Sequence, residues 1–274
     1  MNDLQKCELE ILKEFDRVCK MNNLNYSLDC GTMLGAVRHK GFIPWDDDID
    51  VIMPANDYKK FCKIAPKQLN NDFFLQTSYT DCWYAAFSKI RMNGTTAIEK
   101  GFESCRFHQG VWIDIFPIVG VPDKDFCVRC VDCLLQVRSL LLKDLFYKEW
   151  FKDRPQMLRV VKIIMAIPYG FRKFLCKILD KIILKDPKNK QYSCHVFPYG
   201  NIYKELSTKT ISSYIPMQFE DATFPVAVGY DQILKNIYGD YMTPPPVEER
   251  NGGGHTISII DLNNDYLKYI KQEQ

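Results

Sequence analysis

Four carboxylates crowd into five consecutive positions, Asp46-Asp47-Asp48-Ile49-Asp50, at the mouth of the apolar run Val51-Ile52-Met53. Like charges at that density repel one another unless a cation or a set of donors compensates them. Alternation over 48–53 predicts a strand with Asp48, Asp50 and Ile52 on one face and Ile49, Val51 and Met53 on the other, ended by Pro54. Two carboxylates two residues apart on a strand stand about 7 Å apart. That spacing suits a hard divalent cation, Mg2+ or in its place Mn2+, which takes one or two carboxylates plus substrate phosphates. The competing reading is a set of solvated acids. Asp46 and Asp47 fall either around the cation or in solvent.

Upstream, Tyr26 to Asp29 reads as a short strand running into Gly31-Thr32, and Thr32 to Val37 as the opening of a helix. A glycine at that turn lets backbone approach a phosphate, and a helix N-terminus offers N–H groups and the positive end of its dipole. A third carboxylate is expected from a neighbouring strand. Asp114 is the single acid of Val111-Trp112-Ile113-Asp114-Ile115-Phe116, and burying it unpaired is costly. It either joins the same cation, accepts a proton from an attacking hydroxyl, or pairs with a buried Arg or Lys.

The rest of the chain frames this motif. Apolar residues make up 46% and charged residues 26% of 274, which excludes disordered and fibrous classes. The net charge of +2 advertises no nucleic acid partner. No apolar run is long enough to span a bilayer, and the N-terminus has no signal-peptide pattern, so a cytoplasmic protein is expected. Helical spacing marks residues 4–21 and 56–65, and further strands are expected at 73–78, 84–91 and 111–116. Past residue 124 strand patterns give way to helical ones, and residues 127–185 hold 13 Lys or Arg against 5 Asp or Glu. A basic helical stretch of this kind suits peripheral contact with an anionic membrane, or else a solvated basic face. The tail turns extended over 223–228 and helical over 230–238. These patterns predict an α+β architecture in three parts: a catalytic core over 1–123, a basic helical insertion over 124–200, and a C-terminal segment over 201–274 packing back on the core.

Eleven cysteines, an odd number, are expected to be reduced and buried as small apolar residues. Cys127, Cys130 and Cys133 have metal-ligand spacing, and Cys194-His195 would complete a zinc site. On a helix the same spacing suits packing equally, and the glycines of a zinc knuckle are missing, so zinc is not expected.

The stretch 31–51 resembles the LicD family, the phosphocholine transferases that also include fukutin and fukutin-related protein in animals. Other segments agree in order: Lys89-Ile90-Arg91, Trp112-Ile113-Asp114-Ile115-Phe116-Pro117, Phe224-Pro225-Val226, Tyr238-Gly239-Asp240-Tyr241-Met242, and Pro244-Pro245 to Glu248-Glu249-Arg250. The resemblance implies a nucleotidyltransferase-type core, a mixed sheet flanked by helices. It implies transfer of a phospho-alcohol, commonly phosphocholine, from a CDP carrier to a sugar hydroxyl of a cell-surface glycan or glycolipid precursor, on the inner face of the membrane. Asp48, Asp50 and Asp114 then carry Mg2+ and the catalysis. Gly31, Thr32, Arg38, His39, Lys89, Arg91 and His255 bind substrate, with Arg38, Lys89 and Arg91 on phosphate oxygens. His255 follows three glycines, in a tail that either folds over the donor or forms a surface loop. The interval of 15 residues between Thr32 and Asp48 exceeds that of the wider superfamily but is normal for LicD-like chains. A nucleotidyltransferase adding NMP to a small alcohol or other acceptor would use the same centre. A binding protein with a dead site is disfavoured by the intact acids. Choline needs aromatic faces, and Trp45, Trp83, Tyr84 and Trp112 lie near the motif without marking out a cage.

Overall fold

The computed structural model describes residues 1–142, 154–196, 206–250 and 256–270. It opens with α1 (Asp3–Met21), whose first turn is closed by a capping box between Asn2 and Gln5. Its apolar face, with Leu9, Leu12, Phe15 and Cys19, is buried, and its polar face carries Lys6, Glu10 and Lys13. Next come β1 (Ser27–Leu28), α2 (Cys30–Arg38), β2 (Asp50–Pro54), α3 (Ala55–Gln68), β3 (Phe73–Gln76), β4 (Ser88–Met92), β5 (Thr96–Glu99) and β6 (Trp112–Gly120). Three helices follow, α4 (Asp125–Leu142), α5 (Pro155–Met165) and α6 (Tyr169–Ile183). The chain ends with β7 (Tyr192–His195), β8 (Leu206–Ser207), β9 (Tyr214–Phe219), β10 (Ala222–Ala227), α7 (Tyr230–Tyr238) and β11 (Ile257–Asp261).

Among the described residues seven strands form one mixed sheet in the order β1-β2-β6-β4-β3, with β7 and β8 added beside β6. The long β6 organises it. It runs parallel to β2, with Asp50 opposite Asp114, and antiparallel to β4, with Lys89 opposite Asp114. Since β3 places Gln76 opposite Lys89, one polar row, Asp50-Asp114-Lys89-Gln76, crosses four strands on a single face. The residues between, such as Val51, Ile90, Ile113 and Ile115, fall on the other face, against which α1 and α3 pack. The same alternation that buries one face therefore assembles a file of charge on the other.

The arrangement is α+β, a mixed sheet flanked by helices, as the patterns predict. Two details differ from the sequence expectations. The strand carrying the acids starts at Asp50 rather than Asp48, and the residues before the acids, 43–46, make a turn, Asp46 N–H donating to the Ile43 carbonyl at 2.9 Å. The span 124–200 is not helical throughout. Its helices end at Ile183, and β7 rejoins the main sheet, pairing His195 with Ile118. Four residues are too short a run for alternation to announce a strand. The C-terminal segment reaches the core through β10, which packs on β1, α7, which packs on α2, and β11, which pairs with β5.

Candidate active site

A cleft of about 420 Å³ opens where α2, the acidic turn and the segment after α7 meet. Gly31, Arg38, Trp45, Asp46, Asp48 and Asp50 line one side, and Tyr238, Asp240 and Tyr241 the other. Its size suits a nucleotide-sized ligand.

Several backbone devices aim the acids into it. The buried Gln5 amide of α1 donates to the Asp46 carbonyl at 2.9 Å, tying the acidic turn to the first helix. Thr32 Oγ1 accepts the Asp50 N–H at 2.9 Å, and the Asp29 N–H donates to the Asp50 carbonyl at 3.0 Å. Both ends of the Asp50 backbone unit are thereby pinned to the start of α2. Thr32 is buried and absent from the cleft lining, so its role is to hold β2 rather than to touch phosphate. Gly31 does line the cleft, and a Cβ there would stand 2.6 Å from Asp46 Oδ2. Replacing it with alanine is expected to push the Asp46 carboxylate aside. Because that group is the movable end of a side chain, the melting temperature should barely change while turnover drops about 100-fold. Steady-state rates alongside a thermal melt test this.

Asp46, Asp47 and Asp48 each offer a carboxylate oxygen within 4.8 Å of the others, the one such cluster of possible metal ligands among the described residues. Burial, and then the adjacent Asp48 carboxylate, raise the Asp46 pKa well out of the usual carboxylate range, to about 7. The second of these causes, negative charge crowded into one place, is what a divalent cation relieves. Asp50 lines the cleft beside this cluster. Tyr238 of α7 faces the same acids: burial and the charges of Cys30, Asp29, Asp46 and Asp50 push its phenol pKa up.

Not every expected residue reaches the cleft. Asp114 sits behind Asp50 in the polar row, and its two carboxylate oxygens lie 2.7 and 3.0 Å from Lys89 Nζ. Lys89 is 1% exposed, with Glu99 at 3.9 Å and the Trp112 ring centroid at 4.5 Å. The expectation of Lys89 on a phosphate oxygen is corrected, since its charge is held within the core. Arg91 is likewise 1% exposed, donating to Gln76 Oε1 and the Gly110 carbonyl, each at 2.9 Å. Both lie on a strand whose polar face is closed over by Trp83, Phe87 and Trp112, which local alternation did not reveal. Trp83 and Trp112 are thereby taken up in the core. Asp114 itself is absent from the cleft lining and stands directly opposite Asp50 on the neighbouring strand.

Arg38 does line the cleft, donating to the Tyr241 carbonyl at 2.6 Å. Burial and the neighbouring Arg250 lower its pKa. The Arg250 guanidinium stacks on Trp45 at 4.6 Å and donates to the Pro245 carbonyl at 3.0 Å. Among the described residues neither guanidinium has a carboxylate partner, so two like charges face each other across the cleft rim, satisfied only by neutral acceptors. His39 packs edge-on to Trp45 at 6.2 Å and is outside the lining. His255 lies outside the described residues. Sequence reasoning did not assign Tyr238, Asp240 or Tyr241 to the site, although they fall in the Tyr-Gly-Asp-Tyr segment that supported the resemblance.

Cys127 is half-buried on α4 with Cys130 and Cys133 exposed, none of the eleven cysteines forms a disulfide, and His195 Nε2 lies 2.6 Å from Asp29 Oδ2 in the interior.

A family model described as LicD/FKTN/FKRP, nucleotidyltransferase domain, matches residues 23–126, the span that carries the acidic turn. Over 252 residues the chain is 31% identical to the lipopolysaccharide cholinephosphotransferase LicD of Haemophilus influenzae, covering 88% of this chain and 91% of that protein. Shorter matches join it to uncharacterized proteins of Rickettsia typhi, 40% identical over 58 residues, 21% of this chain and 19% of that protein, and Rickettsia prowazekii, 34% over 79 residues, 29% of this chain and 27% of that protein. Fold, acidic cleft and full-length similarity together define a phosphotransferase. The chain belongs to the LicD family.

Proposed function

We propose that the protein transfers phosphocholine from CDP-choline to a sugar hydroxyl of a lipopolysaccharide-type acceptor, with Mg2+, or Mn2+ in its place, held by Asp46, Asp48 and Asp50. The observation that carries this reading is the cleft itself, which sets a carboxylate cluster beside Arg38, with Arg250 stacked on its Trp45 wall, neither guanidinium having a carboxylate partner among the described residues. The charge pattern suits a diphosphate. A divalent cation bound to the acids supplies charge neutralisation to the donor diphosphate and the departing CMP. Arg38 and Arg250 bind the outer phosphate oxygens, a use of the planar guanidinium that lysine does not match. Gly31 leaves room for the donor to approach the start of α2. Asp114, held by Lys89, backs Asp50 across the sheet and sets its position. Trp45, Tyr238 and Tyr241 offer the aromatic surface that a trimethylammonium group favours, with Asp240 beside them. The full-length similarity to a lipopolysaccharide cholinephosphotransferase supports both the cargo and the acceptor class.

The family model's description as a nucleotidyltransferase domain favours one second reading, transfer of NMP to a small alcohol. A donor screen separates the two. CDP-choline, CDP-ribitol, CDP-glycerol, CDP-ethanolamine and CTP are each offered with Mg2+ and a lipopolysaccharide acceptor, with EDTA controls. CMP release from CDP-choline alone is the expected result, and EDTA abolishes it. Consumption of CTP with release of diphosphate would establish the second reading instead.

A further inference from the structure

Away from the cleft, α6 presents an apolar stripe to solvent, and α5 carries exposed apolar residues of its own. On α6, Phe171, Phe174, Ile178 and Ile182 recur at helical spacing and are 53%, 55%, 42% and 43% exposed. The opposite side of the same helix, with Arg172, Cys176 and Ile183, is buried. On α5, Ile163 is 70% exposed. Folded domains rarely leave so many large side chains together in water without a partner.

The charges around the stripe name that partner. Residues 154–185 contain eight Lys or Arg and one acid, Asp180, in a chain whose net charge is only +2. Asp180 is spent on Arg138, at 2.6 Å. Exposed cations such as Arg159, Lys162, Lys177 and Lys181 therefore lie on the two helices that carry the exposed apolar residues, and among the described residues of 154–185 Asp180 is the one acid. A second copy docked symmetrically would bring two strongly positive faces together, which opposes self-association. A surface of anionic lipid satisfies both features, phosphates for the cations and the acyl boundary for the rings. Among the described residues no helix is long and apolar enough to cross a membrane, so α6, about 22 Å long, lies along the surface rather than through it.

We propose that the α5–α6 face is a docking surface for an anionic bilayer, with Phe171, Phe174 and Ile163 entering the headgroup boundary. The surface is separate from the cleft, and its test reads binding rather than turnover. The full chain is floated with vesicles of phosphatidylcholine alone and of phosphatidylcholine containing about a third phosphatidylglycerol. The expected result is flotation with the anionic vesicles only, weakened by salt. Phe171→Ser with Phe174→Ser and Ile163→Ser should abolish it. Lys162→Glu with Lys181→Glu should weaken it by at least about five-fold for each cation removed. This charge pair keeps the test decisive if the apolar variant fails to fold. No flotation at low salt overturns the proposal, as does binding that survives both sets of substitutions. Concentration-dependent dimerisation in sedimentation that the apolar variant removes would also overturn it, assigning the face to a second copy instead.

Discussion

Asp48→Asn is expected to lower CMP release from the donor by roughly 10³-fold or more while leaving the melting temperature of the metal-free protein unchanged or higher. The reason lies in the crowding of Asp46, Asp47 and Asp48, whose carboxylate oxygens fall within 4.8 Å of one another. Removing one negative charge relieves repulsion in the empty cluster and removes a cation ligand from the loaded one. Stability and activity therefore move apart. The same physics gives a pH signature. Asp46 holds its proton up to about pH 7 in the folded chain, against 3.8 for an ordinary aspartate. A carboxyl whose folded pKa is raised adds stability below its unfolded pKa and loses it as pH climbs through the folded value. The metal-free protein should thus weaken between about pH 4 and pH 7, and Mg2+ should raise its melting temperature more at about pH 8 than at about pH 5, where protons compete for the same oxygens. In Asp48→Asn that Mg2+-dependent shift should largely disappear. Normal turnover in the variant, or an undiminished Mg2+ shift, would remove the acidic turn from the proposed centre.

Lys89→Met should produce the largest loss of stability of any substitution near the site. It takes the ammonium 2.7 Å away from the Asp114 carboxylate, which is 3% exposed. Breaking a buried pair from one side costs about 3–5 kcal/mol, which for a chain of this size lowers the melting temperature by roughly 6–20 °C. Glu99, at 3.9 Å from the same nitrogen, loses its neighbour as well. Adding Asp114→Asn to Lys89→Met removes the stranded charge, and the double variant should regain much of the loss. The double-mutant cycle in thermal or urea unfolding measures that coupling. Additive effects of the two substitutions would mean that Lys89 does not hold Asp114. A small loss in Lys89→Met, under about 1 kcal/mol, would place the ammonium in water rather than against the aromatic wall.

Much of this protein is legible from local pattern. The first helix, the helices after the acidic strand and near residue 230, and strands at 73–76 and 112–116 all follow periodicity and turn chemistry that act over a few residues. So does the pairing of a glycine at a helix start with an acidic run. What local pattern misjudged was the fate of charges on the second face of the sheet. Lys89 and Arg91 alternate as surface residues do, yet both are sealed beneath aromatic rings, Trp83 and Phe87 from the loop just before them and Trp112 from the neighbouring strand. Likewise the Asp48–Asp50 alternation suggested one strand, whereas β2 begins only at Asp50 and the acids before it follow a turn held by Gln5 of the first helix.

The amino-acid order alone determined that carboxylates and a glycine turn would meet on an α+β scaffold, because side-chain period and turn preference depend only on near neighbours. The folded chain decided which of the charges face the cleft. Asp114 was drawn to Lys89 by strand register, Thr32 to the Asp50 amide by the packing of α2 on β2, and Arg250 to Trp45 across some two hundred residues by the return of the C-terminal segment. Burial and long-range pairing fix the ionic partner of each group, and neither is a property of any short stretch of sequence.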